Sequence, residues 1–156
     1  MDKFILDTFQ EATINVLKTM ASIEAIAGVA KEKSGCGTWG SVSGIIGIGG
    51  EKYSGNMILS FEESAILGVV SGMFCEEFTE MKPEVIDAVG ELTNIILGSA
   101  KPILSEKGIN FGMAQPMVVV GEDSQICQVQ GHKLTSIPFE TPRGKFVLEI
   151  NVEQKA

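Results

Sequence analysis

Residues 43–61 read SGIIGIGGEKYSGNMILSF, and residues 135–153 read TSIPFETPRGKFVLEINVE. Each stretch holds two runs rich in β-branched and other apolar residues, parted by turn residues: Gly49-Gly50-Glu51-Lys52 in the first, Thr141-Pro142-Arg143-Gly144 in the second. Glycine adopts backbone angles that other residues resist and proline presets a turn, so both stretches predict β-hairpins. In the last run Phe146, Leu148, Ile150 and Val152 alternate with Lys145, Glu149, Asn151 and Glu153. That period of two predicts a strand with its even-numbered face inside and its odd-numbered face wet.

Outward from the hairpins the apolar spacing turns helical. Phe4, Ile5, Phe9, Ala12, Ile14, Val16, Leu17 and Met20 mark one face of a helix over residues 4–20, with Asp2 as its N-cap. A second helical stretch runs from Glu62 to Phe74. A third begins at Pro83, whose missing N–H does no harm in a first turn, and runs to about Glu106, with Gly108 as its stop. MAQPMVVVG (113–121) and QICQVQG (125–131) read as strands. The chain is thus a helix followed by strands ending in a hairpin, twice over: a tandem α-then-β repeat of the α+β class. The two halves agree in pattern and little in residue identity, and alternating helices and hairpins also recur in unrelated α+β domains.

Composition narrows the function classes. A chain of 156 residues is long enough to bury one core without disulfide or metal staples, so a single domain over 1–156 is expected. No apolar run approaches the roughly 20 residues of a bilayer span. Met1-Asp2-Lys3 leads straight into an amphipathic pattern, so the expected location is the cytoplasm and the expected partners include no membrane. The net charge of −8, with no Lys/Arg cluster, argues against nucleic acid. Cys36, Cys75 and Cys127 are far apart and form no C-x-x-C pair, which predicts reduced, mostly buried thiols and neither a disulfide framework nor a metal site. His132 is the only histidine, inside the polar VQGHKLT, so no nucleophile–base triad can be assembled. GIIGIGG opens into a strand and lacks both a Walker lysine and a following helix, so it is no phosphate loop.

The third helix, PEVIDAVGELTNIILGSAK over 83–101, carries the chemistry. On a helical wheel its apolar residues cover about two thirds of the circumference, wider than one core contact requires. The remaining arc holds Asp87, Gly90, Glu91, Asn94, Gly98 and Lys101, stacked along one line at three- and four-residue spacings. Glu91 and Asn94 are therefore neighbours on the exposed strip. Each glycine costs about 1 kcal/mol relative to alanine in a helix interior. Either the strip lines a groove that another backbone approaches, or the glycines pack against the same chain and the polar pair is an ordinary solvated face.

The run DAVGELTNIILG, Asp87 to Gly98, resembles the signature helix of the CheX/CheC family of bacterial chemotaxis phosphatases, approximately D-A-x-G-E-x-x-N-x-I-x-G. The order of elements resembles that family as well, over nearly the whole chain. The resemblance implies a tandem repeat whose strands form one antiparallel sheet with helices packed on it. It implies a phosphatase acting on the aspartyl-phosphate of a CheY-like response regulator. Carried over, Glu91 docks to the regulator's active-site lysine and Asn94 orients the attacking water. Asp87, Gly90, Gly98 and Lys101 line the partner-binding strip. No cofactor is expected on this chain; the Mg²⁺ of such a reaction belongs to the regulator.

CheC-like members carry the E-x-x-N pair in both repeats and CheX-like members in one. In the first helix QEATINVL places Glu11 and Asn15 four apart, so the register is not met and the chain resembles the single-site CheX-like type, with a homodimer through sheet edges implied. Ser99 stands where many relatives carry Asn, and Pro102 is expected to kink or loosen the last turns. The alternatives to an enzyme are a non-catalytic regulator-binding module and a dimerisation domain of the same fold.

Overall fold

The computed structural model describes residues 2–34, 39–121 and 133–155. The strand expected over 125–131, with Cys36, Cys127 and His132, lies outside them. The described elements run α1 (Lys3–Ala21), β1 (Ile26–Ala27), β2 (Lys31–Ser34), β3 (Val42–Gly49), β4 (Tyr53–Phe61), α2 (Glu63–Phe74), α3 (Pro83–Ser105), β5 (Gly112–Met113), β6 (Met117–Val120), β7 (Lys133–Thr141) and β8 (Gly144–Gln154). Both hairpins form where the turn residues predict them. Asp2 caps α1, its Oδ1 accepting from the Phe4 N–H at 2.7 Å. Pro83 occupies the first turn of α3, and Gly108 follows the helix at φ +81°.

One antiparallel sheet runs in the order β1-β7-β8-β4-β3-β5, with β2 also on β7 and β6 also on β3. This is the tandem repeat made visible. Helix, two-residue strand, four-residue strand and hairpin occur as α1-β1-β2-β3-β4 and again as α3-β5-β6-β7-β8, with α2 between. Each repeat gives its short strands to the first hairpin strand of the other, and β4 pairs with β8 at the centre. The short strands β1 and β2 come from residues 26–34, which carry no strand signal that a local reading finds.

The helices lie on one face. Val42, Ile46 and Ile48 of β3, Met57, Leu59 and Phe61 of β4, and Phe146, Leu148 and Ile150 of β8 join the buried sides of α1, α2 and α3 in one core. Across β4, β8 and β7 the rings of Phe61, Phe146 and Phe139 form a ladder, with centroids 5.1 and 4.7 Å apart. Each such ring pair adds about 0.5–1.5 kcal/mol beyond area burial.

The even-numbered face of β8 is inside, as its pattern predicts, but the odd face is wet only at its ends, at Lys145 and Glu153. Val147, Glu149 and Asn151 are buried, Glu149 at 1% exposure. The opposite face of the sheet carries a second small core of Ile45, Ile58 and Leu134. Lys33 reaches Glu149 at 2.8 Å, which neutralises a carboxylate that burial would otherwise penalise. Val119, the corresponding third residue of β6, packs in that second core beside Ile58, the cross-strand partner of Glu149. One repeat therefore fills this position with an ion pair and the other with hydrocarbon. Alternation reports which residues share a face and says nothing of what covers that face. Of the three thiols expected to be mostly buried, Cys75 alone lies among the described residues, and it is exposed, at the end of α2 with φ +52°.

Candidate functional site

Helix α3 is sealed into the core along one broad face, narrower than its apolar arc: Ile86 and Ile95 are half-buried and Ile103 is 43% exposed. Val85, Val89, Leu92, Ile96, Leu97, Ala100 and Leu104 have no exposed surface. Thr93 is buried too, its hydroxyl donating back to the Val89 carbonyl at 2.7 Å. Beneath it lies Gly44 of β3: a Cβ there would overlap Thr93 Oγ1 and stand 3.2 Å from the Val89 carbonyl oxygen. The missing side chain lets the helix sit directly on the sheet. A glycine inside a strand is the sequence signal of such close approach, and of the three in β3 it is Gly44 that fixes the height of α3.

Asp87, Glu91, Asn94 and Gly98 are exposed on one line, with Lys101 half-buried at its far end. Glu91 and Asn94, three residues apart, project from adjacent turns with Cβ atoms about 5–6 Å apart. Neither side chain has a hydrogen-bond or ion-pair partner among the described residues. The arrangement offers an anionic acceptor beside an amide that both donates and accepts, held on a rigid element and open to a partner.

The two glycines of the strip part company. Gly90 is buried, and a Cβ there would meet Val118 of β6 at 3.3 Å, so the placement of Gly90 on the open arc is corrected. A wheel shows the direction of a residue but not the height of its neighbours, and β6 covers that spot. Gly98 is exposed with nothing within 4 Å of its would-be Cβ. The helix also continues through Pro102 to Ser105, so the proline does not end it. Pro102 has no N–H to give to the Gly98 carbonyl four residues back, which leaves that acceptor without its helical donor on the exposed strip.

Two clefts flank the strip. On one side the end of α2 and the start of α3 enclose about 300 Å³ lined by Met73, Phe74, Glu84, Asp87, Ala88 and Glu91. On the other, α1 and α3 enclose about 320 Å³ whose lining includes Glu11, Asn15 and Thr19 opposite Ile95, Ser99 and Ile103. The first helix repeats the third with a register difference that the fold makes legible. Buried Thr13 donates to the Phe9 carbonyl at 2.8 Å, as Thr93 does to Val89. That match sets Glu11 against Glu91 and Ile14, not Asn15, against Asn94. Ile14 packs partly into the core, so α1 lacks the amide at this position.

Among the described residues no group of three His, Cys, Asp or Glu side chains is close enough to hold a metal ion, and no helix is long and apolar enough to cross a membrane. Phe74, a large aromatic left 53% exposed beside Glu91, carries no local signal of that exposure. Sequence reading also missed Gly44 and Thr93, the seat of the helix.

Residues 42–140 match the family described as Chemotaxis phosphatase CheX. A CheC-like superfamily protein from Shewanella sp. PV-4 has the same fold, with a TM-score of 0.89 and 37% identity over 98% of this chain and 99% of that one. The CheY-P phosphatase CheX of Thermotoga maritima is 28% identical over 127 residues, 81% of each chain. A crystal structure of a CheX–CheY–BeF3–Mg²⁺ complex from Borrelia burgdorferi aligns with a TM-score of 0.75 and 28% identity over 97% of both chains.

Proposed function

The chain belongs to the chemotaxis phosphatase CheX family, and from that premise we propose that it hydrolyses the aspartyl-phosphate of a CheY-like response regulator in the cytoplasm, with Glu91 and Asn94 as its catalytic residues. One observation carries the assignment of the site: a carboxylate and an amide one turn apart, both exposed and without a partner among the described residues, on a helix whose opposite face is sealed into the core.

Glu91 accepts a charge-assisted hydrogen bond from the lysine ammonium at the regulator's active site, which anchors the helix over the phosphoryl group. The Asn94 amide enters beside that group. Its carbonyl oxygen accepts from a water and its NH₂ donates, which holds the water in line with the bond to be broken. Water oxygen bonds to phosphorus as the phosphorus–aspartyl oxygen bond breaks; the products are a free carboxylate and inorganic phosphate, which takes up the water's proton. An amide is too weak a base to deprotonate water, but phosphoryl transfer through a loose transition state needs positioning and charge stabilisation more than a strong base. Mg²⁺ held by the regulator neutralises charge on the phosphoryl oxygens, a role in keeping with the Borrelia complex, where CheX is bound to CheY with BeF3 and Mg²⁺. Asp87, Gly98 and Lys101 line the docking strip, and Gly90 serves it from beneath by letting β6 close against the helix.

The direct test is the phosphate lifetime on CheY-like regulators of the same cell, with and without the protein. A shortened lifetime is expected. No acceleration on any of them, with the protein folded, would reduce the chain to a docking module of the same fold. A second test uses Gly98. Gly98→Ala is expected to raise stability by up to about 1 kcal/mol, since alanine is the better helix former and the new methyl meets no atom of this chain. The same methyl should weaken regulator binding several-fold; stabilisation with unchanged binding would mean that the glycine is not kept for a partner.

The protein pairs with a second copy through sheet edges. Both outer edges carry exposed apolar side chains, Ile26 at 71% and Val29 at 76% on the β1 side, Met117 at 44% and Val120 at 58% on β6. Unpaired edge strands with such residues favour pairing with another chain. Sedimentation equilibrium is expected to show a dimer, weakened by Ile26→Lys or Val120→Lys; a monomer at all concentrations would refute the pairing.

A further inference from the structure

We infer that the cleft between the end of α2 and the start of α3 is a specificity pocket for a lysine or arginine side chain on the rim of the regulator's active site, with Phe74 as its anchor; the inference rests on the phosphatase reading. Three features of the cleft define its occupant. Its floor is apolar, made by Met73, Phe74 and Ala88, and suits the methylene stem of a long side chain. Its wall is anionic, made by Glu84, Asp87 and Glu91, and none of these carboxylates has an ion-pair partner among the described residues. It is also continuous with the site, since Glu91 belongs to both. With Glu91 engaged by the regulator's active-site lysine, a purely apolar occupant would leave Glu84 and Asp87 as unpaired charges against it, which is unfavourable, whereas a second cation on an aliphatic stem satisfies floor and wall together.

Phe74 is built to be an anchor. It is 53% exposed yet held in place, its ring 5.8 Å from that of buried Phe78. The Phe78 N–H donates to Ser71 Oγ at 2.9 Å, which ties the turn after α2 back onto the helix. A rigid aromatic presented to solvent next to a functional carboxylate is the kind of residue that dominates interface energetics, and its ring face also attracts a cation. The cleft is asymmetric in a fold that otherwise repeats. Among the described residues α2 stands outside the repeat, so α3 has an aromatic wall of this kind and α1 does not.

The test is steady-state hydrolysis of CheY-like regulators of the same cell, phosphorylated with acetyl phosphate, comparing wild type, Phe74→Ala, Phe74→Leu and Glu84→Gln. Phe74→Ala is expected to raise KM about tenfold, the loss typical of a truncated interface aromatic, with kcat within about twofold of wild type because Glu91 and Asn94 are untouched. Phe74→Leu is expected to fall between, and Glu84→Gln to raise KM with a shallower salt dependence. Alanine substitution of the regulator's rim lysines and arginines, one at a time, should find one whose loss makes Phe74→Ala silent, the coupling expected of residues in contact. An unchanged KM in folded Phe74→Ala, or coupling only to apolar rim residues, overturns the pocket and leaves the phosphatase reading intact. Absence of turnover by the wild type removes that reading, and this inference with it.

Discussion

Asn94→Ala is expected to return the regulator's phosphate lifetime to its spontaneous value, a loss on the order of 10²-fold or more in the accelerated rate, the scale seen when one preorganised donor is removed from a transition state. Binding of the phosphorylated regulator should survive, because Asn94 makes its contribution to the water and Glu91 supplies the anchoring charge. The pair of readouts separates the roles: Glu91→Ala is expected to lower affinity, Asn94→Ala the chemical step. Neither substitution should disturb folding, since both side chains are exposed and have no partner within the described residues. The assignment fails if Asn94→Ala retains full acceleration, or if its loss of turnover tracks a loss of binding.

The second large effect lies away from the strip. Gly44→Ala places a methyl on Thr93 Oγ1, beneath the turn of α3 that carries Asn94. Thr93 is fully buried and its hydroxyl is bonded to the Val89 carbonyl, so the collision cannot be relieved by swinging a flexible side chain aside. The helix must lift. Overpacking of this kind costs about 1–3 kcal/mol, and in a chain of this length each kcal/mol lowers Tm by about 2–4 °C. A displacement of about 1 Å is also enough to lower turnover about 10²-fold when the chemistry depends on positioning. The double substitution Gly44→Ala/Thr93→Ala should recover part of both losses, because it removes the atom in the way; additive losses in Tm and rate would show that the two positions do not touch.

How much of this was legible beforehand follows the range of the interactions involved. The hairpins, the helix limits at Asp2 and Pro83, and the polar strip of α3 depend on turn residues, caps and periodicity, all expressed within a few residues of chain. The strip could therefore be drawn from DAVGELTNIILG alone, and Glu91 and Asn94 are exposed where it places them. What failed were particular expectations about which surface meets a face. Glu149 and Asn151 look like surface residues in an alternating strand and are buried. Gly90 looks like part of the open arc and is covered by β6. Cys75, one of three thiols expected to be mostly buried, is exposed.

Local backbone preference and the period of apolar residues set the kind and order of the elements, the doubling of the α-then-β unit, and the exposed strip of α3 apart from Gly90. Contacts between distant segments alone place each repeat's short strands on the other's hairpin, close β6 over Gly90, and leave α2 ending in an exposed ring beside Glu91. Burial is a relation between segments far apart in the chain, and a side chain's own neighbours in sequence do not determine which distant surface will meet it.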